Sequence, residues 1–226
     1  MHQYLFFIGN FPIRLYGIFF SLGIISGCIT AYFLLKKDRR GWESHMFDLG
    51  LVIAFAGIVG GRLWDVFFFD WEYYHNHLLE IPYIWQGGMA IQGGIIFACI
   101  AAYFYLKKHQ IPVLPFADTV TPGIILGQAI GRIANFMNGD AFGHPTGQDF
   151  GLLYPDTTLA YHTYGAQPLW PAEVWECQGD LLIFVLLLWY GCKTRAEGTT
   201  FCLYIMFYSL LRFFLENYRG DYGTLA

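Results

Sequence analysis

Charge is scarce along this chain: Asp, Glu, Lys and Arg make up 13% of its 226 residues, against 56% hydrophobic and 20% aromatic residues. So little charge excludes an ordinary water-soluble domain and fits a polytopic helical membrane protein. The basic residues form small clusters and no stripe, which argues against nucleic acid as a partner. No basic start precedes the first apolar run, and that run is long enough to stay in the membrane, so no cleavable signal is read in residues 1–10. Internal repeats, low-complexity tracts and linkers are missing too, which leaves one membrane domain over residues 1–226. Cysteine is present but unclustered. Cys28, Cys99, Cys177, Cys192 and Cys202 fall within apolar runs or at their ends, without metal-ligand pairing, and read as small packing residues.

Six runs are apolar for the roughly 20 residues that a helix needs to cross a bilayer: residues 14–35, 47–69, 87–106, 116–137, 171–191 and 199–217. The expected fold is all-α, with about six transmembrane helices. Lys36, Lys37, Arg39 and Arg40 follow the first run, Lys107 and Lys108 the third, Lys193 and Arg195 the fifth. The positive-inside rule places these connections in the cytoplasm and both termini on the opposite, extracytoplasmic side. The outer connections contain no lysine and are rich in aromatics. Trp64, Trp71, Tyr73, Tyr74, Trp85 and Trp170 are expected in an interfacial belt there. The larger outer loop, about residues 138–170, has no apolar period and is too long for a simple turn, a length at which loops are functional or disordered.

That lysine-free half holds Arg14, Arg62, Arg132, Arg212 and Arg219. An arginine near the bilayer centre costs roughly 2.5–3.5 kcal/mol on the insertion scale, so something polar must offset Arg62, Arg132 and Arg212. A planar guanidinium matches phosphate better than lysine's point charge, which points to a pocket for a phosphate-bearing molecule arriving from the lipid. Arg132 and Asn135, three residues apart, share a helix face near the outer end of the fourth run, and Asn138, Gly139, Asp140 and Gly143 then break the helix. In the sixth run Arg212, Glu216 and Arg219 follow at i, i+4 and i+7. They form either a self-neutralising Arg212–Glu216 pair or part of a site. With Arg62 and Asp65 in the second run, arginines recur at one depth, which favours a shared polar cavity.

Gly123, Gly127 and Gly131 make a small-residue ridge that reads as helix packing. Gly87, Gly88, Gly93 and Gly94 flank Gln92, where the backbone must approach either a ligand or a neighbouring helix. Tyr16 is a belt residue or a pocket wall. His75 with His77, and His144 with His162, lie in outer loops without a carboxylate-bearing metal signature, so they read as interfacial side chains and no metal site is expected.

The run GRIANFMNGDAFG, residues 131–143, resembles the signature of the bacterial prolipoprotein diacylglyceryl transferases, and FPIRLYG, GGRLW, GGMAIQGG, QPLWPAEVWE and YSLLRFFLENYR follow the family's order over nearly the whole chain. The resemblance implies a multi-pass enzyme of the bacterial plasma membrane whose active site faces the extracytoplasmic side. It would transfer the diacylglyceryl group of phosphatidylglycerol to the lipobox cysteine of a prolipoprotein, forming a thioether and releasing glycerol 1-phosphate. By the same resemblance Arg132, Asn135, Arg212, Glu216 and Arg219 line the phosphate and headgroup site, Tyr16 helps close it and Gly143 shapes the outer loop; Asp140 joins Arg132, Asn135, Arg212 and Glu216 as a catalytic candidate, and Arg62, Gln92 and Asn138 join the candidates for substrate binding. No cofactor is implied, because protein cations meet the leaving phosphate, and the thiol belongs to the acceptor.

The sequence departs from the family pattern at three places. Gln92 stands where many members have His and cannot act as a base, so Asp140 or Glu216 must take the thiol proton, or the arginines' field must form the thiolate. Asp140 replaces the usual Glu, and family members usually carry one more span after the second arginine cluster. The alternatives are a non-catalytic phospholipid-binding or lipid-translocating protein and a paralogue with another acceptor. The near absence of polar residues in the cytoplasmic halves of the spans disfavours translocation.

Overall fold

The computed structural model describes residues 4–8, 11–84, 87–191 and 196–221. Trp85, Cys192, Lys193 and Arg195 lie outside the described residues. A short antiparallel hairpin, β1 (Tyr4–Ile8) and β2 (Phe11–Arg14), opens the chain. It is the one departure, among the described residues, from an otherwise all-α architecture of eight helices. These are α1 (Leu15–Asp38), α2 (Met46–Phe68), α3 (Trp71–Tyr74), α4 (Ile91–Lys108), α5 (Val113–Asn138), α6 (Leu159–Tyr164), α7 (Ala172–Gly191) and α8 (Thr199–Glu216).

Each expected apolar run is a helix, with ends displaced by no more than about one turn. The largest displacement has a local cause. Gly87 and Gly88 adopt φ of 95° and 73°, which a right-handed helix cannot use, so α4 starts only at Ile91. Among the described residues four helices, α1, α2 with its preceding turn, α5 and α8, are long and apolar enough to cross a membrane. Helix α4 closes on Lys107 and Lys108, and α7 carries Glu173, Glu176 and Asp180. Burial is inverted relative to a water-soluble protein. Arg62, Asp118, Glu173, Glu176 and Asp180 are buried while Phe33, Phe55, Phe104, Trp189 and Phe213 are exposed. Apolar side chains outside and charges inside are what a hydrocarbon solvent demands, and the chain is a polytopic membrane protein. Of the described cysteines only Cys177 is half-buried; Cys28, Cys99 and Cys202 are exposed on this apolar exterior.

The described helices group into two compact units, residues 1–34 with 117–226 and residues 35–116. In the second unit α2 packs against α4 through glycine. A Cβ on Gly93 would collide with the Gly60 carbonyl and with Trp64, and one on Gly60 with Phe97. The Ala90 amide donates to the Gly61 carbonyl at 3.0 Å. Gly93 and Gly94 of GGMAIQGG therefore serve a neighbouring helix, while Gly87 is required by its positive φ. Arg62 sits in this unit, 3% exposed. It donates to the carbonyls of Ile81 (2.8 Å), Gly87 (2.6 Å), Gly88 (3.0 Å) and Glu80 (3.2 Å) and to the Tyr74 hydroxyl (3.0 Å). Tyr74, expected in the interfacial belt, is buried instead, because its ring lies under the Arg62 guanidinium. Trp71 and Tyr73 stay exposed.

In the first unit α1 and α5 meet backbone to backbone. A Cβ on Gly23 would lie 2.8 Å from the Gly127 carbonyl, and one on Gly27 lies 2.7 Å from that of Gly123. Gly131 has nothing within 4 Å, so only part of the expected ridge packs. Asp118 of α5 caps α8 by accepting from the amides of Gly198 (2.7 Å) and Phe201 (2.9 Å), in place of a local capping side chain. Helix α7 buries Glu173, Glu176, Asp180, Ile183 and Leu187 along one face. The apolar part, Ile183 and Leu187, packs with Ile125 of α5 and with Leu203, Phe207 and Leu211 of α8. The acidic part is left facing the end where α5 finishes, α7 begins and α8 finishes.

Candidate active site

The loop between α5 and α7 is ordered around a small core of its own, Phe142, Tyr154, Ala160 and Leu169. Gly139, at φ 75°, ends α5 and turns the chain into this loop, and its amide and that of Asp140 both donate to the Asn135 carbonyl, at 2.8 and 3.2 Å. Residues 142–144 run between two other strands of chain. Gly143 N–H donates to the Trp170 carbonyl (3.2 Å), His144 N–H to that of Tyr218 (3.0 Å), and Gly220 N–H to that of Phe142 (3.0 Å). This junction ties the loop to the ends of α7 and α8. Gly143 has no room for a side chain: a Cβ would lie 2.6 Å from the Trp170 Cβ and 2.8 Å from the Tyr218 carbonyl oxygen. Gly143→Ala is therefore expected to cost about 1–3 kcal/mol by overpacking. Thermal unfolding of the purified protein checks it; an unchanged midpoint would contradict the rigid junction.

Two carboxylates anchor the loop and the end of α5. Asp140 accepts from the amides of Asn135 (2.7 Å) and Asn138 (2.8 Å), one on each oxygen. Glu173, fully buried, accepts from the Tyr154 hydroxyl. Burial, together with the neighbouring Glu173 carboxylate, holds the Tyr154 phenol well above its usual range, so it stays a donor. Arg219 pairs with Asp221 through Nε at 2.9 Å and through Nη2. Gly143 and Arg219 face each other as an isolated antiparallel bridge.

Arg132 of α5 and Arg212 of α8 converge on one residue of α7. Arg132 Nη2 lies 2.9 Å from Glu176 Oε1, and Arg212 Nη1 lies 3.1 Å from Glu176 Oε2. Tyr208 joins them: its hydroxyl donates to Glu176 Oε1 (3.3 Å) and accepts from Arg132 Nη2 (3.5 Å). Arg132 Nη1 donates to Asn135 Oδ1 (3.3 Å), and Arg212 Nη2 reaches Glu216 Oε2 at 3.1 Å. The self-neutralising Arg212–Glu216 pair thus exists, but as one arm of a larger network. Tyr16 of α1 is half-buried and close enough to Asp140 and Arg132 to interact electrostatically. Asp180, one turn beyond Glu176, is fully buried, and among the described residues its two oxygens accept no hydrogen bond.

Of the residues singled out in the sequence, Arg132, Asn135, Asp140, Asn138, Arg212 and Glu216 form connected hydrogen-bonded groups in the first unit, with Tyr16, Gly143 and Arg219 in the same unit. Arg62 and Gln92 belong to the second unit, where Gln92 is exposed and Arg62 bonds to its own unit's carbonyls and Tyr74. Glu176 escaped the sequence reading as a site residue. Its signal was three acids, Glu173, Glu176 and Asp180, on one face of an otherwise apolar helix.

The model of the prolipoprotein diacylglyceryl transferase family matches residues 3–226. A phosphatidylglycerol–prolipoprotein diacylglyceryl transferase of Clostridium botulinum, strain Langeland, is 35% identical over 221 residues, covering 98% of this chain and 86% of the relative. The enzyme of the same name from Staphylococcus saprophyticus is 36% identical over 223 residues, covering 97% and 78%. That of Clostridium kluyveri is 36% identical over 216 residues, covering 96% and 84%.

Proposed function

This chain belongs to the prolipoprotein diacylglyceryl transferase family, and from that premise we propose how its residues divide the work of the reaction. The activity is transfer of the diacylglyceryl group of phosphatidylglycerol to a prolipoprotein. In our reading the acceptor is the lipobox cysteine: its sulfur attacks the glycerol carbon that bears the phosphoester, the C–S bond forms as the C–O bond breaks, and glycerol 1-phosphate leaves.

Arg132 and Arg212 hold the phosphate and stabilise the charge that builds on it as the C–O bond breaks. The observation that carries this assignment is their convergence from two helices while each side chain stays partly exposed, 21% and 25%. Asn135 fixes the Arg132 guanidinium on one side and Asp140 on the other. Asp140, gripped by two amides, organises the end of α5. The thiol proton goes to Glu216, whose side chain is 50% exposed and already beside Arg212. Tyr16, Asn138, Gly143 and Arg219 shape the site around the headgroup, and Gln92, which has no titratable group, contributes to substrate binding without taking a proton. Arg62 acts by positioning the segment that leads into α4.

In the same reading all six long helices span the plasma membrane, the termini and the α5–α7 loop are extracytoplasmic, and the lysine-bearing connections are cytoplasmic. Transfer of radiolabelled diacylglycerol from phosphatidylglycerol to a lipobox peptide by the purified protein tests the chemistry. Label on the peptide cysteine, lost with Arg132→Ala, is the expected result; label that persists with Arg132→Ala would remove Arg132 from the reaction.

A further inference from the structure

We propose that Glu176 is a positioning residue that sets the spacing of the two phosphate-binding guanidiniums, an inference that rests on the assignment of Arg132 and Arg212 to the lipid phosphate. Two guanidiniums brought together from separate helices repel each other and, with nothing between them, spread apart. The Glu176 carboxylate lies between them with one oxygen on each, at 2.9 and 3.1 Å. Its side chain is 3% exposed, against 21% and 25% for the arginines, so the carboxylate holds them from the protein side and leaves their outward edges for a ligand.

A carboxylate presents two oxygens to two guanidinium forks much as a phosphodiester presents its two non-bridging oxygens, so arginines gathered by Glu176 already stand at a separation that suits phosphate. Glu216 pairs with Arg212 through its Oε2, and Asp180, although on the same face of α7, accepts no hydrogen bond among the described residues. Tyr208 braces the arrangement from α8 by bonding to both Arg132 and Glu176. Preorganisation of this kind shows in substrate binding, because the ligand no longer meets the free-energy cost of assembling its own site.

The test compares Glu176→Gln and Glu176→Asp with the parent, measuring the affinity of purified protein for a short-chain phosphatidylglycerol and the KM and kcat of transfer. Glutamine keeps the shape but turns one acceptor into a donor that faces a guanidinium, and affinity is expected to fall by about tenfold or more. Aspartate keeps the charge on a shorter stem and is expected to recover part of that loss. A folded Glu176→Gln protein that binds phosphatidylglycerol as tightly as the parent overturns the proposal. If Glu176→Gln does not fold, Glu176→Asp decides alone: a raised KM with kcat largely kept supports positioning, and an unchanged KM in the folded fraction assigns Glu176 to stability only. Arg132→Ala separates the two readings. Affinity kept in that variant defeats the phosphate assignment itself, whereas affinity lost there but kept with Glu176→Gln defeats only the role of Glu176.

Discussion

Lysine in place of Arg132 or Arg212 is expected to lower kcat/KM for diacylglyceryl transfer by about 10²–10³-fold, the scale of losing one preorganised donor to a developing anion. Charge is conserved in these variants, so electrostatic attraction of the lipid phosphate survives. What disappears is the planar fork that bonds Glu176 and leaves further N–H groups for the phosphate. Arg132→Lys also gives up the contact to Asn135, and Arg212→Lys the simultaneous reach to Glu176 and Glu216. Transfer kinetics in reconstituted membranes, alongside a check that each variant is inserted and folded, measure the effect. Both lysine variants retaining full activity would leave the reaction with no need for the paired forks.

Arg62→Ala is expected to act differently, destabilising the protein by about 3–5 kcal/mol, the range for removing one partner from a buried charged network. The guanidinium serves the carbonyls of Glu80, Ile81, Gly87 and Gly88, and also the Tyr74 hydroxyl, and faces Asp65 at 3.9 Å. Alanine would leave those acceptors without their donor, and the Asp65 carboxylate without its counter-charge, in a water-poor setting. Gly88 shows how closely the segment is drawn in, since a Cβ there would lie 2.5 Å from Asp65 Oδ2. Thermal unfolding should record the loss, while phosphatidylglycerol affinity of the protein that remains folded stays near the parent's. A stable Arg62→Ala protein with weakened lipid binding would instead return Arg62 to the substrate site.

Short-range features were readable because their causes are local. Helix extents followed from apolar length, and the end of α5 from Asn138, Gly139 and the i, i+3 pairing of Arg132 with Asn135. The glycine pairs of α2 and α4 announced a close approach but left its object open, since a missing Cβ looks the same whether a ligand or a helix fills the space. Tyr74 could not be told from a belt tyrosine, because its burial depends on Arg62, twelve residues away on another helix.

The sequence by itself determined a membrane protein of long helices, its family through ordered motifs, and the two arginine-bearing segments where phosphate chemistry was to be sought. Composition, apolar length and motif order are properties of the chain read in one dimension. Only the tertiary structure decided that Arg132 and Arg212 meet on Glu176, that Asp118 caps α8, and that Arg62 is held by its own unit. Each of these is a contact between distant segments, set by which helix faces pack together, and no periodicity within one segment encodes that choice.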